Sequence, residues 1–393
     1  MTPGGGSSAR GPLAVVTGHI CLDVIPGLWG SGTEGPSNTG PSAPGTLDVV
    51  GPATLSIGGC VGNTGLALHR LGLPVRLVAR IGDDPFGDIL AHLVAAVVPP
   101  AANRLIRTPG AATSYSFVDS RPGVDRAIRH HPGVNDRFVA GDVAPDALEG
   151  ATVLHVGYPP LMAALAANGG RELGRLLGAG RERGAITSLD MAAANLGPGS
   201  AIDWADLLRR VLPEVDVFLP SLDEAAHMLG REVQRDGDGR PELDAVASLG
   251  AELLRLGVAI AGLKLGEHGL YIRTAVAGRV DAVPGPRAPG WADRELHSSV
   301  FETDVVGTTG AGDATIAGFL YGLAGGWTLE ETIAAACAVG GTSTEAADGT
   351  SGIRPWPRIE ERLEGGWRRT TMTPPPGWRT TAVPGLTRGP RDR

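Results

Sequence analysis

The residues best placed to do chemistry form one run, Asp304-Val305-Val306-Gly307-Thr308-Thr309-Gly310-Ala311-Gly312-Asp313-Ala314, leading into an apolar helical stretch over 315–323. A strand end, a glycine-rich turn and a helix start would place several unpaired amide N–H groups at one point. Such a cradle binds anions, because the helix dipole favours negative charge there. Glycine lets a phosphate approach the backbone closely. A carboxylate in the same turn would repel a bound phosphate, so Asp313 is a poor choice for binding alone. It makes sense as a base that takes a proton from an incoming hydroxyl while the amides hold a transferring phosphoryl group. The plainer alternative is a glycine-rich connection whose Asp simply sits in the first helical turn.

Composition narrows what else could take part. Lys264 is the only lysine, so no G-x-x-x-x-G-K-[ST] loop exists, and amides, helix dipoles and arginines must do most of any phosphate handling. The formal charge of −8 comes with no basic stripe, which disfavours nucleic acid as a partner. Cys21, Cys60 and Cys337 lack metal-knuckle spacing and suggest a reducing compartment. His19 and Asp23 interrupt the first apolar run, so it does not read as a signal peptide, and no stretch is long and apolar enough to span a membrane. The expected location is cytoplasmic.

The elements that must position Asp313 follow from periodicity. Short apolar runs at 13–16, 75–81, 152–156, 186–189, 215–219 and 258–264 read as buried strands. Helical stretches at 64–71, 86–97, 201–211, 222–229, 243–256, 311–323 and 329–342 alternate with them. That alternation predicts a mostly parallel sheet with helices on both faces. Residues 12–364 are expected to form one domain, with a small β excursion from about 24–57 and 110–133. The Gly/Ser-rich residues 1–11 and the Pro/Gly/Thr/Arg-rich residues 365–393 are expected to be disordered, with Arg368, Arg369, Arg388, Arg391 and Arg393 as solvated charge.

The run Thr308-Thr309-Gly310-Ala311-Gly312-Asp313 resembles the C-terminal signature of the ribokinase-like (PfkB-type) carbohydrate kinases. The resemblance implies that Asp313 is the catalytic base and that Gly310, Ala311 and Gly312 form the anion hole, with Thr309 at the nucleotide. Gly307 stands where the family has an Asp that helps hold a monovalent cation, which leaves that cation open. A second segment, Gly58-Gly59-Cys60-Val61-Gly62-Asn63, is similar to the family's N-terminal signature, and Gly18–Asp23 to its first-strand motif. These imply a sugar site in which Asp23 accepts from vicinal hydroxyls and Gly58, Gly59 and Asn63 complete the hydrogen-bond set; a loop Asp and a helix-capping Asn are the bland alternative.

Leu219-Pro220-Ser221-Leu222-Asp223-Glu224 is similar to the family's Asn-x-x-Glu motif, with Ser221 in place of Asn. The resemblance gives Glu224 to the waters of Mg²⁺ and Ser221 to ATP, although Ser-x-x-Glu is also a capping box. Around Leu263–Tyr271 the family's T-x-G-x-x-G turn is matched by Gly266 and Gly269, with Lys264 replacing Thr. Lys264 is either a triphosphate contact or an edge-strand gatekeeper, and the glycines need only a hairpin. Ala347–Gly352 resembles the loop on the adenine side. His130 and His131, adjacent on a strand, should point to opposite faces and so form no metal pair. Asp190 ends a buried strand, a common site position in open α/β sheets.

The expected whole is a three-layer α/β/α sandwich with a small β-lid, phosphorylating a primary hydroxyl of a small sugar with ATP and Mg²⁺. A nucleoside kinase, or a catalytically silent sugar- or nucleotide-binding regulator on the same fold, are the alternatives. Family members often pair through their lids; the lid segments here lack a clear apolar face, so a homodimer stays open.

Overall fold

Short strands that are apolar on both faces can be buried only inside a layered structure, and the chain builds one. The structure is a computed structural model and describes residues 11–27, 45, 50–119, 127–192, 202–237, 239–285 and 288–393. Its strands are β1 (Ala14–Gly18), β2 (Cys21–Gly27), β3 (Gly51–Gly58), β4 (Val75–Gly82), β5 (Asn103–Thr108), β6 (Tyr115–Asp119), β7 (Ala127–His131), β8 (Val153–Gly157), β9 (Ile186–Asp190), β10 (Val217–Phe218), β11 (Ile260–Lys264), β12 (Leu270–Thr274), β13 (Glu295–Ser298), β14 (Arg379–Thr380) and β15 (Leu386–Arg388). The helices are α1 (Gly59–Leu71), α2 (Pro85–Val97), α3 (Ala163–Glu182), α4 (Trp204–Val211), α5 (Leu222–Leu229), α6 (Leu243–Arg255), α7 (Ala277–Val280), α8 (Ala311–Ala324), α9 (Leu329–Thr344) and α10 (Trp356–Glu364).

The main sheet runs β5-β4-β1-β8-β9-β10-β11-β12-β13-β15-β14, parallel as far as β11 and antiparallel beyond it. Successive residues of β1 enter opposite cores: Ala14 and Val16 pack with α1, α2, α8 and α9, while Val15 packs with α3, α4 and α6. This is the expected three-layer sandwich. Local signals set the helix starts. Asp84 caps α2 by accepting from Gly87 N at 2.8 Å, and Thr328 with Glu331 forms a capping box on α9.

A second sheet, β3-β2-β6-β7, leaves the main one at the carboxyl end of β1 and forms the lid. Parts of the lid expectation, residues 28–44, 46–49 and 120–126, lie outside the described residues, as do residues 1–10 of the expected N-terminal tail. The lid does have an apolar outer row, contrary to the expectation. Val24 pairs with Leu55 on one side and Phe117 on the other, and the latter two are exposed. The residues sit on different strands, so only the register brings them together.

Residues 365–393 also depart from expectation. They return to the sheet, where β15 pairs with β13 and β14 with β15. Trp367 stacks on Phe301 with ring centroids 4.5 Å apart, and the Arg369 guanidinium covers the same Phe at 4.0 Å while bonding Ser298. Arg369 is therefore no solvated charge. Trp378 lies edge-on to Tyr271 and His297, only 6% exposed. The composition misleads because the segment makes little core by itself; it borrows the free edge of β13 and apolar rings already in place. Trp378→Ala should destabilise the protein by about 3–5 kcal/mol in urea unfolding, the cost of emptying a buried aromatic site. An unchanged midpoint would mean that the tail is a loose appendage.

Candidate active site

α8 begins where the sequence pattern requires. Gly310 adopts φ 73°, a left-handed conformation that disfavours any residue with a Cβ, and turns the chain into the helix. Ala311 N donates to Thr308 O and Ala314 N to Gly310 O, so helix geometry leaves the amides of Gly312 and Asp313 without intrahelical acceptors. Half-buried Thr309 precedes this turn.

Asp313 is 4% exposed and held by three donors from two other elements. Asn63 Nδ2 and Tyr158 OH donate to Oδ2 at 3.1 and 2.6 Å, and Thr64 Oγ1 donates to Oδ1 at 3.1 Å. Burial pushes its pKa up, against the pull of the Lys264 charge and these hydrogen bonds. Asn63 is thus more than a helix cap: it joins the two glycine signatures, at the start of α1 and the start of α8.

Tyr158 and Thr64 were not anticipated. Tyr158 follows β8 with φ 67°, an uncommon strained conformation for a tyrosine, and its N donates to Asp190 O at 3.2 Å. The available signal was its place just past the carboxyl end of a buried strand, where open α/β sheets put their sites. Thr64 carried no signal beyond standing next to Asn63.

Lys264 ends β11, an interior strand, so the edge-gatekeeper alternative fails. Its Nζ lies 2.9 Å from Asp190 Oδ1 and would be 3.3 Å from a Cβ at Gly312, which puts the only lysine beside the amide cradle. Asp190 is pushed up to about 8, chiefly by burial, with Lys264 pulling against the rise and Glu224 and Asp313 adding to it. Despite burial, Lys264 is held above the usual lysine value by Asp190, Glu224 and Asp313 together. Three carboxylates therefore share one ammonium.

Ser221 and Glu224 form the capping box of α5: Ser221 N donates to Glu224 Oε2 at 2.7 Å, and Glu224 N to Ser221 Oγ at 3.2 Å. The structural alternative is realised, yet the cap lies beside Lys264, whose N donates to Pro220 O at 3.0 Å. Gly266 opens a single turn between β11 and β12, closed by Leu265 N to Gly269 O at 2.8 Å. Gly307 packs against the carbonyls of Ala346 and Ala347 and brings no carboxylate there.

At the lid end, Asp23 is 7% exposed on β2 and accepts from the Cys21 thiol at 3.2 Å. A Cβ at Gly58 would collide with its carboxylate, and Gly59 starts α1 at φ 78°. The Cys21 thiol is pushed up by burial and by Asp23, with a smaller push from Asp313. His130 and His131 do face opposite ways. His131 meets Tyr115, while His130 turns inward to Ser116 and His19.

Residues 39–356 match the family described as pfkB family carbohydrate kinase. An uncharacterised sugar kinase of Archaeoglobus fulgidus is 28% identical over 268 residues, 68% of this chain and 89% of that one. A fructokinase of Solanum tuberosum is 27% identical over 154 residues, 39% of this chain and 44% of that one. Among solved structures, Arabidopsis thaliana ribokinase complexed with ribose and ATP superposes with TM-score 0.66 at 18% identity, covering 90% of this chain and 99% of its own. Fructokinase with bound ATP from Xylella fastidiosa gives 0.65 at 18%, covering 90% and 98%. At these identities the structural likeness concerns the fold, which is ribokinase-like. Among the described residues, no helix is long and apolar enough to cross a membrane.

The shared ammonium makes a test of stability against pH. A carboxylate whose folded pKa is raised binds its proton more tightly when folded, so its contribution is full below its unfolded pKa and is lost as pH rises through the folded one. Lys264→Met removes the charge that limits this rise. Its destabilisation in urea unfolding should be clearly larger at about pH 9 than at about pH 6, because protonation offsets the loss of the cation only at the lower pH. An equal loss at both pH values would show that the three carboxylates do not share Lys264.

Proposed function

Because the chain belongs to the pfkB family of carbohydrate kinases, we propose that it transfers the γ-phosphoryl group of ATP to a primary hydroxyl of a small sugar, with Asp313 as base. The observation that carries this reading is the environment of Asp313. It is a buried carboxylate, raised towards proton-accepting strength, in the first turn of a helix whose first amides lack intrahelical acceptors. A carboxylate weakens an anion site, so its presence there fits proton transfer rather than binding.

In this reading the sugar lies between the lid and the carboxyl edge of the sheet. Asp23 accepts from two hydroxyls, Gly58 and Gly59 allow the ring to approach, and Asn63 orients both the sugar and Asp313. Asp313 takes the proton of the attacking hydroxyl as its oxygen bonds to the γ-phosphorus; the bond to the bridging oxygen breaks and ADP leaves with that electron pair. The amides of the Gly310–Gly312 turn and Lys264 neutralise charge on the transferred phosphoryl.

The residues also fit the co-substrate and its ion. Lys264 and the amide cradle suit a triphosphate, with Ser221, Gly266 and Thr309 along its path. The cap of α5 engages Oε2 of Glu224; Oε1 would order water around Mg²⁺, which would supply positive charge against the phosphates. With Gly307 in place of a carboxylate, a monovalent cation would rest on carbonyls such as those of Ala346 and Ala347. The apolar row of Leu55, Val24 and Phe117, exposed at Leu55 and Phe117, supports a homodimer formed through the lids.

ADP release from Mg-ATP should be measured across ketoses, aldoses, sugar acids and nucleosides. One acceptor should give saturable release, and Asp313→Asn should lower turnover by about 10²–10⁴-fold or more, with nucleotide affinity and melting temperature retained. A nucleoside as the sole acceptor would replace the sugar assignment. Nucleotide binding without release on any acceptor, indifferent to Asp313→Asn, would instead identify a binding protein.

A further inference from the structure

We propose that His19, Cys21 and His130 form a binding site for one zinc-type divalent ion that ties the lid to the body. The three come from separate places: the connection after β1, the first residue of β2, and β7 of the lid. One ligand atom from each lies within 4.8 Å of the others. The two Nε2 atoms face each other at 3.1 Å.

That spacing matches a coordination sphere. With bonds of about 2.0–2.1 Å to nitrogen and about 2.3 Å to sulfur, ligand atoms around tetrahedral zinc lie about 3.3–3.6 Å apart. The histidines, 3.1 Å apart, need to separate by about 0.2 Å, and the thiol needs a closure of about 1 Å, both within the reach of side-chain motion. Water can take the fourth position beside two nitrogens and one sulfur, as in zinc sites with three protein ligands. This set suits zinc and its neighbours and does not suit Mg²⁺, which prefers oxygen alone.

An outer contact supports a site rather than a chance meeting of side chains. Ser116 Oγ holds His130 Nδ1 at 3.0 Å, the outer contact that orients a ligating imidazole. On binding, the Cys21 thiol loses its proton to solvent and the thiolate sulfur donates to the ion.

The test uses the full chain, stripped with a chelator, and Co²⁺ as probe before displacement by Zn²⁺. One equivalent of Co²⁺ should produce a thiolate-to-metal charge-transfer band, which Zn²⁺ removes. Cys21→Ser should abolish the band, and Ser116→Ala should weaken metal affinity by about 10–100-fold through loss of the outer contact. Melting curves without metal establish that each variant folds, and Zn²⁺ should raise the melting temperature of the unaltered chain but not of His130→Gln. Backbone hydrogen exchange in β7 should slow with Zn²⁺. A missing band, or one that persists in Cys21→Ser and so belongs to Cys60 or Cys337, overturns the site. Binding with no change in β7 exchange overturns its role as a clamp.

Discussion

The structure depends on accommodating carboxyl groups where water is largely excluded. Asp313 and Asp190 are both buried, with Glu224 close enough to act on Asp190 and Lys264. Taking such groups out of water costs several kcal/mol each, and the cost is met only if donors and a counter-charge surround them. One ammonium and three hydrogen-bond donors do so here. These groups come from α1, the end of β8, β9, β11 and α8, so those elements must end at one level. A parallel sheet with helices on both faces provides that shared carboxyl edge.

The same requirement explains the local irregularities. Gly310 and Tyr158 both take left-handed backbone conformations, and both lie against Asp313, one by opening its helix and the other by donating to it. Strain of order 1–3 kcal/mol at Tyr158 is sustained by the packed surroundings. The capping box of α5 belongs to this pattern as well. Structural and chemical roles coincide because a cap fixes a carboxylate in place, and a fixed carboxylate is what a site for a hydrated cation needs.

The far side of the sheet shows the opposite economy of means. The antiparallel strands β12 and β13 carry no candidate catalytic group, and the C-terminal segment finishes the layer by lending Trp367, Trp378 and Arg369 to rings already there. A segment too polar to fold alone becomes ordered on an edge made by the rest of the chain.

The sequence by itself determined the class of fold and the location of the glycine turn that opens α8, because both are written in local periods: apolar runs alternating with helical ones, and glycines ahead of a helix. It also singled out Asp313, since a carboxylate is chemically conspicuous in such a turn. It could not show that Asn63, Thr64 and Tyr158 converge on that carboxylate, that Asp190, Glu224 and Asp313 share Lys264, or that His130 meets His19. Nor could it reveal the apolar row on the lid or the docking of residues 365–393. Each of those facts joins residues far apart in the chain, and only the register of strands and the packing of helices brings them within a few ångströms.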